Sequence, residues 1–182
     1  FSQDMIDHHD QAVSMALALL GKDNIDVSVR TAATEVLIFQ RWETGIMDTY
    51  LAGWNEPRGD LDRSAMNWMD MVSAVGSVPG MQSEAKMDEL RAAQGRQAEQ
   101  LFLSMMREHH LGGVHMGQYA AEHASDGDVR ELAARMARYQ QVEGVNAIVQ
   151  RVIAGKPRKG LIWHFQGSGK SLLMLFAARK LR

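Results

Sequence analysis

Apolar residues recur along this chain with the alternating four-three spacing of one helical face. Phe1, Met5, His8, Ala12, Met15 and Leu19 form the first such stripe, which predicts a helix to about Leu20 stopped by Gly21. A second helix is predicted over about residues 27–52, with Val36, Gln40, Glu43, Met47 and Tyr50 on one face and Asp26 placed to cap it. That face is unusually polar. Residues 53–83 are rich in glycine and carry Pro57 and Pro79, so a long crossover connection is expected, with a short helix over 63–75. Met87, Leu90 and Ala93 then predict a short helix that follows a weak cap at Ser83 and ends at Gly95. Phe102, Met106, His109, Gly113, Met116, Ala120 and His123 make the next stripe, in which the pair Gly112 and Gly113 either weakens the helix or lets a neighbour approach closely. Asp126, Gly127 and Asp128 end that helix and open another, which runs to about residue 154 with Leu132, Met136, Gln140, Glu143 and Ala147 inward. Four principal helices with no strand before residue 160 make the expected fold all-α.

The third long stripe matches the first position by position. Phe1, Met5, His8, His9, Val13 and Met15 return as Phe102, Met106, His109, His110, Val114 and Met116 at a constant offset of 101, and Gln40 and Glu43 return as Gln140 and Glu143 at an offset of 100. Two helical hairpins related by duplication are the simplest reading. Because the repeated residues are His, Met, Glu and Gln, the duplication doubles a polar constellation along with the fold. Packing the hairpins about a pseudo-two-fold axis brings His8 near His109 and places Glu43 and Glu143 on facing helices, so the expected metal ligands are Met5, His8, His9, Glu43, Met47, Met106, His109, His110 and Glu143.

Imidazole suits copper, zinc, iron and nickel, while a thioether favours cuprous copper over hard cations. Thirteen methionines and no cysteine tilt the expectation to copper, with zinc or another divalent ion behind it. Met66, Met69, Met71 and Met81 in the connection offer further thioethers, although methionine also fills irregular core gaps. A carboxylate-bridged di-iron site wants Glu-x-x-His on two helices, and neither Glu43 nor Glu143 is followed by His at that spacing. The competing reading is a metal-free structural or interaction module whose His, Glu and Gln side chains form a buried hydrogen-bonded network. His115 and His123 are lone, and Asp7 and Glu108, each just before a His-His pair, are expected to be solvated charges.

The segment from Asp4 to Val13, with Met15 and Ala16, then Val78-Pro79-Gly80-Met81, then Phe102 through Met116, resembles the bacterial domain of unknown function 305 over residues 1–153. That resemblance implies a ferritin-like four-helix bundle, exported to the periplasm or cell surface, with some members tied to copper binding and resistance. The end of the chain is similar to something else. Lys159 to Arg179 resembles the strand, phosphate loop and helix of the motor subunit of type I restriction enzymes, with Gly167, Gly169, Lys170 and Ser171 in place for nucleotide phosphates and magnesium. His164 stands at the first glycine of the full signature, and the chain stops eleven residues after Ser171, leaving no room for a motor's parallel sheet. The expected organisation is a bundle over residues 1–154 and an unrelated tail over 155–182.

Composition sharpens this division. Residues 1–143 hold all 22 acidic residues against 12 Lys and Arg, a formal −10, whereas residues 144–182 hold eight Lys and Arg and no acid, a formal +8. An acidic body attracts cations and repels nucleic acid. No stretch approaches the ~20 uninterrupted apolar residues of a transmembrane helix. The repeat also suggests a shortened start, because the helix carrying Phe102 begins near Gly95 while its counterpart has nothing before Phe1, about two turns less. The expected protein is a non-enzymatic carrier or sequestering protein whose partner is a metal ion, with self-association as a further option and a nucleotide-binding fragment as the remaining alternative.

Overall fold

The first helix, α1 (Ser2–Leu20), buries the expected stripe: Met5, His8, Ala12, Met15 and Leu19 are each at most 1% exposed. The structure, a computed structural model, describes residues 1–59 and 61–137. The end of α1 is closed by more than Gly21, since the Arg30 guanidinium donates to the carbonyls of Leu20 at 2.8 Å and Lys22 at 2.7 Å, satisfying acceptors that the helix leaves free. A short connection leads to α2 (Val27–Gly53), whose cap is the predicted one: the Asp26 carboxylate accepts from the Ser28 amide at 2.8 Å.

The long connection departs from expectation. In place of a helix over 63–75 the chain forms two tight 3₁₀ turns, Asn67–Met69 and Val75–Ser77, around a two-residue antiparallel ladder, β1 (Ser64–Ala65) against β2 (Ser73–Ala74). That ladder also corrects the expectation of no strand in this part of the chain. The physical cause lies in Asp4, whose buried carboxylate accepts from the Met66 amide and the Trp68 indole, both at 2.8 Å, and from Arg63 at 2.6 Å. Met66 and Asp70 are held at positive φ (67° and 53°), a backbone state that helical continuation does not allow. Local apolar spacing was overridden by one acidic side chain.

Ser83 caps α3 (Glu84–Ala92), accepting from the Lys86 amide at 3.4 Å, and this helix stops at Ala92 rather than at Gly95. The long α4 (Gly95–His123) follows, and then α5 (Gly127–Met136), capped by Asp126 through the amides of Asp128 and Val129. Among the described residues there are thus five helices, none long and apolar enough to cross a membrane.

Two apolar clusters form the core. One gathers Met15, Leu19, Val29, Leu90, Phe102 and their neighbours; the other gathers Met5, Met47, Met66, Met69, Met116 and Leu132 with theirs. Each of α1, α2 and α4 passes from one cluster to the other. The early part of α1 belongs with the late parts of α2 and α4, so α1 runs antiparallel to both. Between the clusters, His8 and His9 on α1, Gln40, Glu43 and Thr44 on α2, and His109 and His110 on α4 occupy one polar layer.

Candidate metal centre

The sequence-predicted histidines do meet. The His8 and His109 rings stack with centroids 3.6 Å apart and planes inclined by 26°, both fully buried. Two glycines on α4 permit close approaches, Gly113 to the His8 ring and Gly112 to the Pro79 backbone. A Cβ at Gly113 would stand 3.0 Å from His8 Cε1, and one at Gly112 would stand 2.0 Å from the Pro79 carbonyl oxygen. Of the two roles expected for this glycine pair, admitting a close neighbour is the one the packing shows.

Hydrogen bonds determine which ring nitrogens are free. His109 Nε2 lies 2.8 Å from the His8 carbonyl, which can only accept, so the proton sits on Nε2 and Nδ1 carries a bare lone pair. His9 Nε2 lies 2.8 Å from Glu43 Oε2; a proton donated to that carboxylate likewise leaves His9 Nδ1 bare. Neither nitrogen of His8 makes a well-formed hydrogen bond, although the backbone of His109 and of Pro79 lies near enough to favour its protonated form slightly, and the Nδ1 atoms of His9 and His109 also lack a partner. His110 differs, because Gln40 Nε2 approaches its Nε2 at 3.3 Å while its other side turns to the Met106 carbonyl.

Burial holds three of these imidazoles in the neutral form. Burial, then the neighbouring His9 and His110, push His8 well below the ordinary imidazole range; burial, then His8, do the same to His109. His110 is lowered to about 4, again by burial first and the His9 charge second, against the opposing pull of Glu43. Neutral imidazoles with bare nitrogens are the form in which histidine ligates metal.

Of the remaining predicted ligands, Met5 and Met47 lie in the apolar cluster on one side of the polar layer and Met106 in the cluster on the other. Glu143 and the phosphate-loop residues Gly167, Gly169, Lys170 and Ser171 lie outside the described residues. Among the described residues no three His, Asp or Glu side chains are gathered around one ion-sized space. Asp7 is not the solvated charge expected: it is paired with Arg63 at 2.8 Å and largely buried, and burial raises its pKa. Glu108 is solvated as expected, half-exposed with only Lys86 at 3.5 Å, while His123 stacks on Tyr119 at 4.1 Å at the surface. Sequence reasoning missed Asp4 and Thr44, whose burial has no signature in apolar spacing; both lie three or four residues along a helix from a singled-out position, which is the available signal.

Comparison with known proteins bears on both parts of the chain. The model of the family described as Domain of unknown function (DUF305) matches residues 1–147, and that of SWI2/SNF2 ATPase matches residues 140–182. The fold is similar to that of a DUF305 protein from Streptomyces coelicolor, provisionally described as secreted, at 33% identity and a TM-score of 0.74, covering 85% of this chain and 90% of that one. A DUF305 fragment from Deinococcus radiodurans is similar at 27% identity and a TM-score of 0.68, with 83% and 93% covered. CopM, solved in the Cu(II)-bound form, shares the fold at 20% identity and a TM-score of 0.64, with 84% and 95% covered. The type I restriction enzyme HindI endonuclease subunit of Haemophilus influenzae is 48% identical over 58 residues, which amount to 29% of this chain and only 6% of that subunit.

Proposed function

Because the chain belongs to the DUF305 family, we propose that it is an exported copper-binding protein, a sequestering or carrier protein without catalytic activity, built as a ferritin-like bundle of two duplicated hairpins. One observation carries the reading. Four imidazole nitrogens, two on His8 and one each on His9 and His109, are buried without partners, and leaving such a group unpaired costs about 1–3 kcal/mol. A bound ion relieves that cost at the lone-pair nitrogens, once the stacked His8 and His109 rings turn their lone pairs toward it; the remaining His8 nitrogen carries the ring proton.

The donor set selects the ion. His8 and His109 supply imidazole nitrogen; Met5 and Met106, each one helical turn before them, supply thioether sulfur from either side of the layer. Two imidazoles with thioethers suit copper and need no third nitrogen or oxygen ligand, whereas zinc prefers a four-ligand cage of nitrogen, sulfur and carboxylate. Glu43 acts through His9, fixing its ring so that Nδ1 keeps a free lone pair. The copper-bound state of CopM supports the view that a fold of this kind accommodates the ion.

A second reading is favoured by the pairs His9–Glu43 and His110–Gln40, which are sound hydrogen bonds without any metal: a polar layer that fixes how the helices pair. Equilibrium dialysis against cuprous copper, cupric copper and zinc, followed by elemental analysis, separates the two. Copper retained by the wild type and lost on combining His8→Asn with His109→Asn supports the first; copper retained unchanged by that double variant refutes the site. Because the restriction-type match covers so little of its relative, no motor activity is part of this proposal.

A further inference from the structure

The proposed copper site has no open mouth. His8 and His109 are 1% and 0% exposed, so an ion reaching their bare nitrogens must first displace part of the fold. Parting α1, α2 or α4 would open both apolar clusters. Among the described residues, the non-helical segment lying against the ring pair is residues 78–82.

This segment is a strap across α4. Its Pro79 carbonyl occupies the space a side chain at Gly112 would need, and Gly80, at φ +88°, sits so close that its own Cβ would stand 2.6 Å from the His109 carbonyl. Val78 anchors one end in the methionine-rich cluster. Met81 packs against the same cluster, and the polar tie at the other end is Gln11: its Oε1 accepts from the Gln82 amide at 2.7 Å, and its Nε2 donates to the Gln82 carbonyl at 2.9 Å. Within the strap, Met81 N donates to the Val78 carbonyl and Gln82 Nε2 to the Gly80 carbonyl, both at 3.0 Å, so it can move as one piece. Freeing the tied end breaks two hydrogen bonds, whereas parting any helix pair exposes the apolar clusters that the helices share.

We propose that residues 78–82 are the gate through which copper enters and leaves the imidazole pair, with Gln11 as its latch. The inference rests on the copper reading above. Gating controls rates rather than the final complement of ion, because opening is required in both directions.

Stopped-flow mixing of the full chain with cupric ion, read by quenching of its tryptophan fluorescence, tests this. In the wild type the loading rate is expected to plateau with copper concentration, at the rate of strap opening. Gln11→Ala should raise that plateau roughly tenfold or more, as expected for losing two modest hydrogen bonds, with stoichiometry unchanged and dissociation into a chelator faster in proportion. Gln11→Glu, which keeps the acceptor and loses the donor, should fall between. A loading rate that rises linearly without a plateau, or one that Gln11→Ala leaves unchanged, overturns the gate while leaving copper binding intact. Absence of any copper uptake at equilibrium overturns the copper reading and the gate with it.

Discussion

Removing the carboxylate of Asp4 tests whether one buried acid organises the long connection. Asp4→Ala strips acceptors from the Met66 amide, the Trp68 indole and the Arg63 guanidinium at once. Asp4 is 5% exposed, so water does not replace the lost partners. Each abandoned donor costs about 1–3 kcal/mol, and breaking a buried ion pair about 3–5 kcal/mol. Those figures overlap rather than add, and Arg63 retains Asp7 at 2.8 Å, so the lower end applies. The expected loss is about 3–4 kcal/mol, or a fall in Tm of about 10 °C for a chain of this size. Urea unfolding followed by far-ultraviolet circular dichroism measures the loss, and near-ultraviolet dichroism reports the release of Trp68. Asp4→Asn, which keeps one oxygen but turns a donor toward Arg63, should recover only part of it. A loss below about 1 kcal/mol in the alanine variant would refute the reasoning and return the connection to apolar packing alone.

Two glycine substitutions should move stability in opposite directions. Gly112→Ala, whose Cβ would meet the Pro79 carbonyl at 2.0 Å, is expected to destabilise by about 2–3 kcal/mol, while Gly45→Ala, in the exposed middle of α2 with nothing within 4 Å, should stabilise by about 0.5–1 kcal/mol; equal shifts in urea midpoint would contradict the close approach. Acid should destabilise the copper-free protein earlier than carboxylate titration does. His8, His109 and His110 are all held below their ordinary values, so the unfolded chain takes up protons first; stability is complete above about 6.5 and drains as the pH falls toward the folded values, about 4 for His110. The slope is up to ~1.4 kcal/mol per pH unit for each histidine, and urea midpoints that stay level between pH 6.5 and 5 in the presence of a chelator would count against neutral buried rings.

Periodicity made the helices and their inward faces legible, because burying one stripe is the strongest demand a soluble helix places on its residues. Met5, His8, Ala12, Met15 and Leu19 are buried as that demand requires. The connection resisted the same treatment, since Arg63 to Val75 carries enough apolar residues to suggest a helix while Asp4, some sixty positions away, dictates its turns. Asp7 misled for a related reason: its partner Arg63 comes from that connection. Contacts that join distant segments through single polar side chains leave no period to detect.

The internal sequence repeat predicts equivalent histidine pairs, yet the two pairs are chemically unequal. On α1, His9 faces the Glu43 carboxylate, which makes the ring a stronger donor and leaves its inner nitrogen bare. On α4, His110 faces the Gln40 amide instead, and that ring has no lone pair left to give. The difference follows from where α2 lies: Gln40 and Glu43 sit about one turn apart on a single helix, so one ring meets the amide and the other the acid. Copper affinity should therefore respond unevenly to the two pairs. Loss of the His9 ring removes an available donor, whereas loss of the His110 ring removes a hydrogen bond, and a titration that found His9→Asn and His110→Asn equally damaging would argue that the hydrogen-bond partners do not decide which rings bind.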